Sequence, residues 1–388
     1  MALLESLSSG PLKIAVIGSG NWGSVIGKII AINAKMSYIF DENVHIWVYE
    51  ETINGQKLTE IINETHENIK YLPGIQLPPN LIATPSLKDT IKNANLLIFV
   101  LPHQFLKTSC ETIKSFNILN KDAKAISLVK GLYVDSNFLP KLPSQMISEI
   151  LEIECSALSG ANVAKDVAKE QFCEATIGYH TKDSALIWQQ LFDTPFFKIN
   201  GVPDVSGVEI CGALKNVIAL AAGFCDGLEL GSNTKAAIIR QGFEELRLFS
   251  VILFDGILED TFFDSSGIAD TITTCFGGRN VKCAAEFIRY NGKKSWDEIE
   301  KVFLNGQKLQ GTLTCEDVNK IIQMHNLYNI FPLFDMTYKI AFESYPASEL
   351  INTFKIKQLR RIKTFEDCTS STLPSILKQS IWQKNSKI

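Results

Sequence analysis

Ile14-Ala-Val-Ile-Gly18-Ser-Gly20-Asn-Trp-Gly23 decides the fold, because a short apolar run of β type breaks directly into a G-x-G-x-x-G turn. Such a turn predicts a dinucleotide-binding loop. Gly18 allows the tight turn, Gly20 lets the backbone approach a pyrophosphate, and Gly23 lets the next helix pack close to the strand. The phosphates then sit on N–H groups at that helix's N-terminus. Three glycines this close also occur in ordinary turns, where they serve only to reach positive φ. The strand before the loop and the amphipathic Val25–Ile30 after it favour the nucleotide reading.

Outward from this loop, short β-branched runs alternate with helical patterns: Lys13–Ile17, His45–Tyr49, Leu81–Ala83, Leu96–Leu101, Ala125–Val129 and Cys155–Leu158. That alternation predicts βαβ units and a mostly parallel, doubly wound sheet, hence an α/β fold. Leu96–Leu101 is apolar throughout, as expected of a central strand covered on both faces. Glu174–His180 and Phe196–Asn200 extend the sheet, with Lys182–Leu191 as a helix between them. Beyond Gly201 the β-type runs nearly vanish, and Val208–Phe224, Lys235–Phe254, Val281–Tyr290, Ser295–Leu304 and Glu316–Met324 have helical apolar spacing. We therefore expect a sheet domain over 1–200, an all-α domain over 201–355 and a solvated, partly disordered tail over 356–388.

The 388 residues suffice for two cores, and 46% apolar with 21% charged residues describes a globular chain. A net charge of −4 argues against broad attraction to nucleic acid or anionic membrane. Nine scattered cysteines with no C-x-x-C read as reduced thiols, with no metal site expected. No basic stretch precedes an apolar core near the start, so no secretory signal is expected. The run Cys211–Cys225, interrupted by Lys215, is too short to span a bilayer. The chain ends Ser386-Lys387-Ile388, one residue from a peroxisomal address, although a plain tail is the simpler reading.

Several side chains can carry chemistry. Glu50 and Glu51, after the second strand, are placed to accept hydrogen bonds from an adenosine ribose or to form a solvated loop pair. Their distance from Gly23 exceeds the usual spacing, which a loop over Ala31–Asn43 would explain. Lys215 stands in an apolar helix, where it either exchanges protons with a substrate hydroxyl or snorkels to water. Lys130 follows a predicted strand at the ligand-binding end of the sheet, or is a solvated lysine before the Gly131 turn. Phe276-Gly-Gly-Arg-Asn280 opens a helix, so Arg279 and the helix N-terminus suit a phosphate or carboxylate. The alternative is a glycine C-cap beside an exposed arginine. Asp270 and Thr274 share one face if Gly267–Cys275 is helical. His103 is a second candidate base, or a shaper of its loop.

Taken together, Gly18-Ser-Gly-Asn-Trp-Gly23, Leu101-Pro-His-Gln-Phe105, Leu128-Val-Lys-Gly131, Gly160-Ala-Asn-Val-Ala164, Glu209-Ile-Cys-Gly-Ala-Leu-Lys-Asn216, Gly223-Phe-Cys-Asp-Gly227, Asn233-Thr-Lys-Ala-Ala237, Gly277-Gly-Arg-Asn280 and Asn305-Gly-Gln-Lys-Leu-Gln-Gly311 resemble the NAD-dependent glycerol-3-phosphate dehydrogenases. The resemblance runs from residue 12 to 350. It implies a Rossmann-like N-terminal domain followed by a helical one, with the reaction in a cleft between them. Lys215 resembles the family's general acid and base. Lys130, Asn216, Asp270 and Thr274 match residues around the reacting carbon, and Arg279 and Asn280 match the phosphate grip. Gly18, Ser19, Gly20, Asn21, Trp22, Gly23, Tyr49, Phe105, Ala164, Arg279, Lys308 and Gln310 correspond to cofactor contacts. The family also implies NAD as cofactor, a small phosphorylated substrate, a homodimer and a cytoplasmic location. Two other readings compete: a dehydrogenase of a non-phosphorylated 3-hydroxy acid, which uses similar parts, and a non-catalytic NAD-sensing protein, which has no need of a lysine in an apolar helix.

Overall fold

Leu12–Ile17 (β1) is buried at every position but Lys13, which makes it a strand of the sheet interior. In the computed structural model, which describes residues 10–291, 293–304 and 308–355, β1 lies inside an eight-stranded sheet. The other strands are Phe40–Trp47 (β2), Leu81–Thr84 (β3), Leu96–Phe99 (β4), Lys124–Ser127 (β5), Glu154–Ser159 (β6), Cys173–Gly178 (β7) and Phe197–Val202 (β8). Their order is β8-β7-β6-β5-β4-β1-β2-β3, and only the β6–β7 pair is antiparallel. The chain winds outward from β1 through β2 to β3, then resumes on the other flank of β1 with β4. That reversal puts a topological switch point at the carboxyl ends of β1 and β4, where open α/β sheets bind ligands. Leu96–Phe99 is buried at all four positions, as a doubly covered strand requires.

Two expectations near β2 are corrected. The strand stops at Trp47, which pairs with Thr84 at the end of β3, so Tyr49 lies beyond it and is 74% exposed. The loop expected over Ala31–Asn43 shrinks to a three-residue turn at 37–39. The helix Asn21–Met36 (α1) fills the first part of the stretch, burying Ile29, Ile30, Ala31 and Ala34 on its core side, and β2 begins at Phe40. The long interval from Gly23 to Glu50 is therefore a longer helix and strand.

Packing divides the described chain into two compact units, one of residues 10–130, Pro143–Glu209 and Asp264–Ser266, the other of Gly131–Leu142, Ile210–Phe263 and the residues from Gly267 on. The division falls inside a helix, Val205–Gly227 (α2), between Glu209 and Ile210. The second unit is helical apart from a two-stranded hairpin, Tyr133–Val134 with Pro140–Lys141, whose flanking Leu132 and Leu142 join the second core. The proposed tail 356–388 lies outside the described residues.

Helix α2 is apolar on every side and buried accordingly. At 23 residues it is long and apolar enough to cross a membrane, which corrects the shorter length expected, but its whole apolar window is buried inside the protein. Two glycines let a neighbour approach it. A Cβ on Gly223 would stand 2.4 Å from the Val281 carbonyl, and one on Gly227 would stand 2.6 Å from that of Ala285. Those carbonyls belong to the helix Arg279–Arg289 (α4), which follows Asp270–Gly277 (α3). The Gly223–Gly227 motif thus presses α4 against α2, and so sets the distance between the side chains each carries.

Candidate active site

In the first unit the glycine loop is held by backbone sterics. Gly18 has φ +120°, and a Cβ there would lie 2.6 Å from the Val100 carbonyl just past β4. A Cβ on Gly23 would lie 2.2 Å from the Gly18 carbonyl, so only glycine lets α1 start this close to the turn. Gly20 differs, since a Cβ there would meet nothing within 4 Å. Gly20 is the N-cap of α1, and no side chain caps the first turn. The Asn21 Oδ1 beside it is buried without a hydrogen-bond partner. Open space, uncapped N–H groups and an unsatisfied polar atom fit the pyrophosphate of a dinucleotide. Trp22 packs edge-on against Phe197, which fixes the outer wall of the loop. Ser19 is buried, and its carbonyl accepts from Ser24 Oγ at 3.1 Å and from the fully buried Asn68 Nδ2 at 2.9 Å.

Asn68 was missed in the sequence, where nothing marks a residue so far from the loop it braces. Glu50 and Glu51, offered by the sequence as ribose acceptors or as a solvated loop pair, both have partners within the protein. Glu50 accepts from Thr59 N at 3.2 Å and Thr59 Oγ1 at 2.6 Å, capping the helix Leu58–Thr65. Glu51 is paired with Lys70 and accepts from the Tyr71 hydroxyl at 2.9 Å, and the Lys70 hydrogen bond holds its carboxyl below the ordinary range. Both carboxylates are engaged within the protein. Phe105 is 57% exposed on a short 3-10 turn that begins with the buried His103. Ala164 opens a short helix after the Gly160 turn. Lys130 is partly buried and donates to the Gly160 carbonyl at 3.4 Å.

In the second unit Lys215 does not snorkel: it is 6% exposed. Its Nζ donates to Asp270 Oδ1 at 2.5 Å and to Thr274 Oγ1 at 2.6 Å. Asp270 and Thr274 are buried and stand one turn apart on α3, the shared face that their spacing predicts. The carboxylate supplies a counter-charge that compensates the desolvation of the ammonium, and the hydroxyl fixes its direction. Asn216, the next residue of α2, accepts from Asn280 Nδ2 at 2.9 Å, and Asn280 Oδ1 accepts from Gly311 N at 3.0 Å. Here too glycine is required, because a Cβ on Gly311 would come within 2.8 Å of Asn280 Oδ1.

Gly278 is the C-cap of α3 and the N-cap of α4 at once, with no side chain capping α4. Arg279 is exposed at the first position of α4, beside buried Asn280. Five predicted site residues, Lys215, Asn216, Asp270, Thr274 and Asn280, thus form two adjoining hydrogen-bonded sets. Lys308 stands apart, paired with Asp297 and, at 3.0 Å, with the buried Glu300. Gln310 Nε2 donates to Thr314 Oγ1 at 3.4 Å, one turn along its own helix.

Residues 13–185 match the family description NAD-dependent glycerol-3-phosphate dehydrogenase N-terminus, and residues 204–352 match its C-terminus. The chain belongs to that family. This dehydrogenase is 49% identical over 345 residues to the glycerol-3-phosphate dehydrogenase 1-like protein of Xenopus tropicalis, covering 89% of this chain and 97% of the relative. It is 48% identical over 340 residues to the rat protein named glycerol-3-phosphate dehydrogenase (NAD(+)), cytoplasmic, covering 87% and 96%. The solved glycerol-3-phosphate dehydrogenase of Plasmodium falciparum superposes with a TM-score of 0.88 at 49% identity, covering 92% of this chain and 99% of that one. The dehydrogenase is accordingly an NAD-dependent oxidoreductase acting on glycerol 3-phosphate, and the 3-hydroxy acid and NAD-sensing readings are set aside. Relatives carry both cytoplasmic and chloroplastic names, so the family does not fix a compartment.

Proposed function

We propose that Lys215 is the general acid and base of the reversible reduction of dihydroxyacetone phosphate, with Asp270 and Thr274 aiming its proton. The observation that carries this is a lysine 6% exposed whose ammonium is held by one carboxylate and one hydroxyl from a single helix face. NADH, when bound, supplies the hydride. As the C2 carbonyl becomes an alkoxide, Lys215 gives a proton to its oxygen, and in the reverse direction the neutral amine removes the proton from the C2 hydroxyl. Asp270 keeps the ammonium in place and balances its charge. Asn216 and Asn280, locked to each other and to Gly311, hold the substrate beside Lys215. Arg279 and the uncapped first turn of α4 take the phosphate. Lys130 adds a second cation toward the substrate. In the first unit, Gly18 to Gly23 hold the pyrophosphate, and Tyr49, Phe105 and Ala164 complete that unit's cofactor contacts.

A homodimer working in the cytoplasm goes with this reading, supported by the family resemblance and by the rat relative's name. The test is NADH oxidation with dihydroxyacetone phosphate, with unphosphorylated dihydroxyacetone and with a 3-oxo acid. Turnover confined to the phosphorylated ketone is expected. Equal turnover of dihydroxyacetone removes the phosphate grip from Arg279 and Asn280.

A further inference from the structure

Glu300 is a buried carboxylate with no role in the chemistry above. It is 3% exposed on the helix Trp296–Leu304 (α5), and it binds the chain that enters the next helix, Gln310–Met324 (α6). Its Oε1 accepts from Leu309 N at 2.9 Å, and its Oε2 lies 3.0 Å from Lys308 Nζ. Leu309 is the N-cap of α6 and has no polar side chain with which to close the first turn. A glutamate at the third helical position would reach back to the N-cap N–H, but Thr312 stands there and its hydroxyl goes to the Leu309 carbonyl at 2.9 Å. Glu300 supplies the missing acceptor from another helix. Apolar contacts complete the clamp, since Ile299 and Leu309 pack in one cluster with Cys283 of α4.

Two positions later the same turn reaches the two asparagines beside Lys215. Gly311 N donates to Asn280 Oδ1, and a Cβ on Gly311 would also stand 3.0 Å from the Asn216 carbonyl, so α6 begins hard against α2 and α4. A backbone N–H only donates. It therefore settles how the Asn280 amide lies, with Oδ1 toward Gly311 and Nδ2 toward Asn216 Oδ1. Asn216 is then left with its Nδ2 as donor, and one of its N–H groups goes to the Gly212 carbonyl at 3.2 Å. Each amide has a second N–H to offer a substrate oxygen.

We propose that Glu300 is a positioning residue for Asn280 and Asn216, acting through the turn from Leu309 to Gly311. The inference rests on the reading that these two asparagines hold the substrate. A buried carboxylate is costly unless its oxygens are used, and at a helix start the free N–H groups and the dipole favour it. Here both oxygens are used. Without Glu300 the Leu309 N–H is left buried and unsatisfied, and the first turn of α6 moves to find another partner. Gly311 N–H then no longer fixes the Asn280 amide, and Asn216 loses the donor that orients it.

The experiment measures kcat and the KM for dihydroxyacetone phosphate, at saturating NADH, in the wild type, Glu300→Met, Glu300→Gln, Asn280→Ala and the double variant of Glu300→Met with Asn280→Ala. Methionine keeps the volume and removes the acceptor, so Glu300→Met is expected to raise KM by about three- to tenfold, the worth of one displaced hydrogen bond, with kcat within about twofold. Glutamine keeps an oxygen for Leu309 N, so Glu300→Gln should restore KM to within about twofold of wild type. The double variant should have the KM of Asn280→Ala, because both residues act along one chain of hydrogen bonds. A role in stability alone lowers kcat through loss of folded enzyme and leaves KM unchanged, and that result overturns the proposal. So does a KM in Glu300→Gln as high as in Glu300→Met, or a further rise in the double variant. If Glu300→Met fails to fold, Glu300→Asp decides, since the shorter side chain draws the carboxylate back from Leu309: a wild-type KM overturns the proposal, and a raised KM upholds it. A wild-type KM in Asn280→Ala overturns the substrate reading of Asn280 and the proposal with it, whereas a wild-type KM in Glu300→Met beside a raised one in Asn280→Ala overturns the proposal alone.

Discussion

Helices α1, from Asn21, and α4, from Arg279, both begin right after a glycine with no side chain capping them, and they are built differently. At α1 the backbone makes the site. A Cβ on Gly18 or Gly23 would lie 2.6 or 2.2 Å from a carbonyl oxygen, while one on Gly20 would face open space. At α4 a Cβ on Gly278 would be similarly tight, 2.6 Å from the Thr274 carbonyl, but one on Gly277 would meet nothing within 4 Å. What distinguishes the α4 start is its side chains: exposed Arg279, and Asn280 tied to Asn216 and Gly311. On the proposed reading the first is a generic phosphate seat that any dinucleotide protein can use. The second, on that reading, acquires meaning only beside Lys215, and it makes the difference between holding a cofactor and performing a reaction.

If that division is right, substitutions in the two places should separate binding from chemistry. The largest effect belongs to Lys215→Ala, expected to lower kcat by about 10²–10⁴, the usual weight of a positioned acid–base group, in steady-state NADH oxidation. Next comes Gly20→Ala. Its added methyl meets no protein atom within 4 Å, so the melting temperature stays near wild type, while the NADH Kd rises by about tenfold or more because the methyl takes the space of the pyrophosphate. A normal NADH Kd in Gly20→Ala breaks the backbone half of the comparison. Arg279→Ala is expected to raise the KM for dihydroxyacetone phosphate by about ten- to a hundredfold, the worth of a charged hydrogen bond, with a smaller change in kcat. Gly277→Ala sharpens the contrast from the other side. With open space around it, activity should stay within about twofold of wild type.

Where a feature depends on neighbours in the chain, the sequence shows it. The β1 run, the glycine turn, the alternation that makes the sheet and the one-turn spacing of Asp270 and Thr274 are all local patterns, and each is found as read. The ends of elements are less visible, because they are set by partners. β2 stops where β3 stops, and α1 runs on to Met36 through a stretch that looked like a loop. Residues whose meaning comes from far along the chain are not legible at all. Glu50 and Glu51 read equally as ribose acceptors or as a solvated loop pair, and their partners Thr59, Lys70 and Tyr71 appear only in the fold. The helix Pro332–Phe342 went unread, and its first N–H groups are satisfied by the buried carboxylate of Glu245, which receives Leu333 N at 2.8 Å and Phe334 N at 2.9 Å. Lys215 sat between two readings until Asp270, 55 residues away, was seen at its ammonium.

The most direct test of the division is a pair of NADH titrations, by quenching of protein fluorescence, on Lys215→Ala and Gly20→Ala, each set beside its turnover of dihydroxyacetone phosphate. The account predicts that Lys215→Ala binds NADH with the wild-type Kd and hardly turns over, whereas Gly20→Ala binds NADH weakly and recovers its kcat at saturating NADH. Near-normal turnover in Lys215→Ala, or a loss of NADH binding there equal to that in Gly20→Ala, would contradict it.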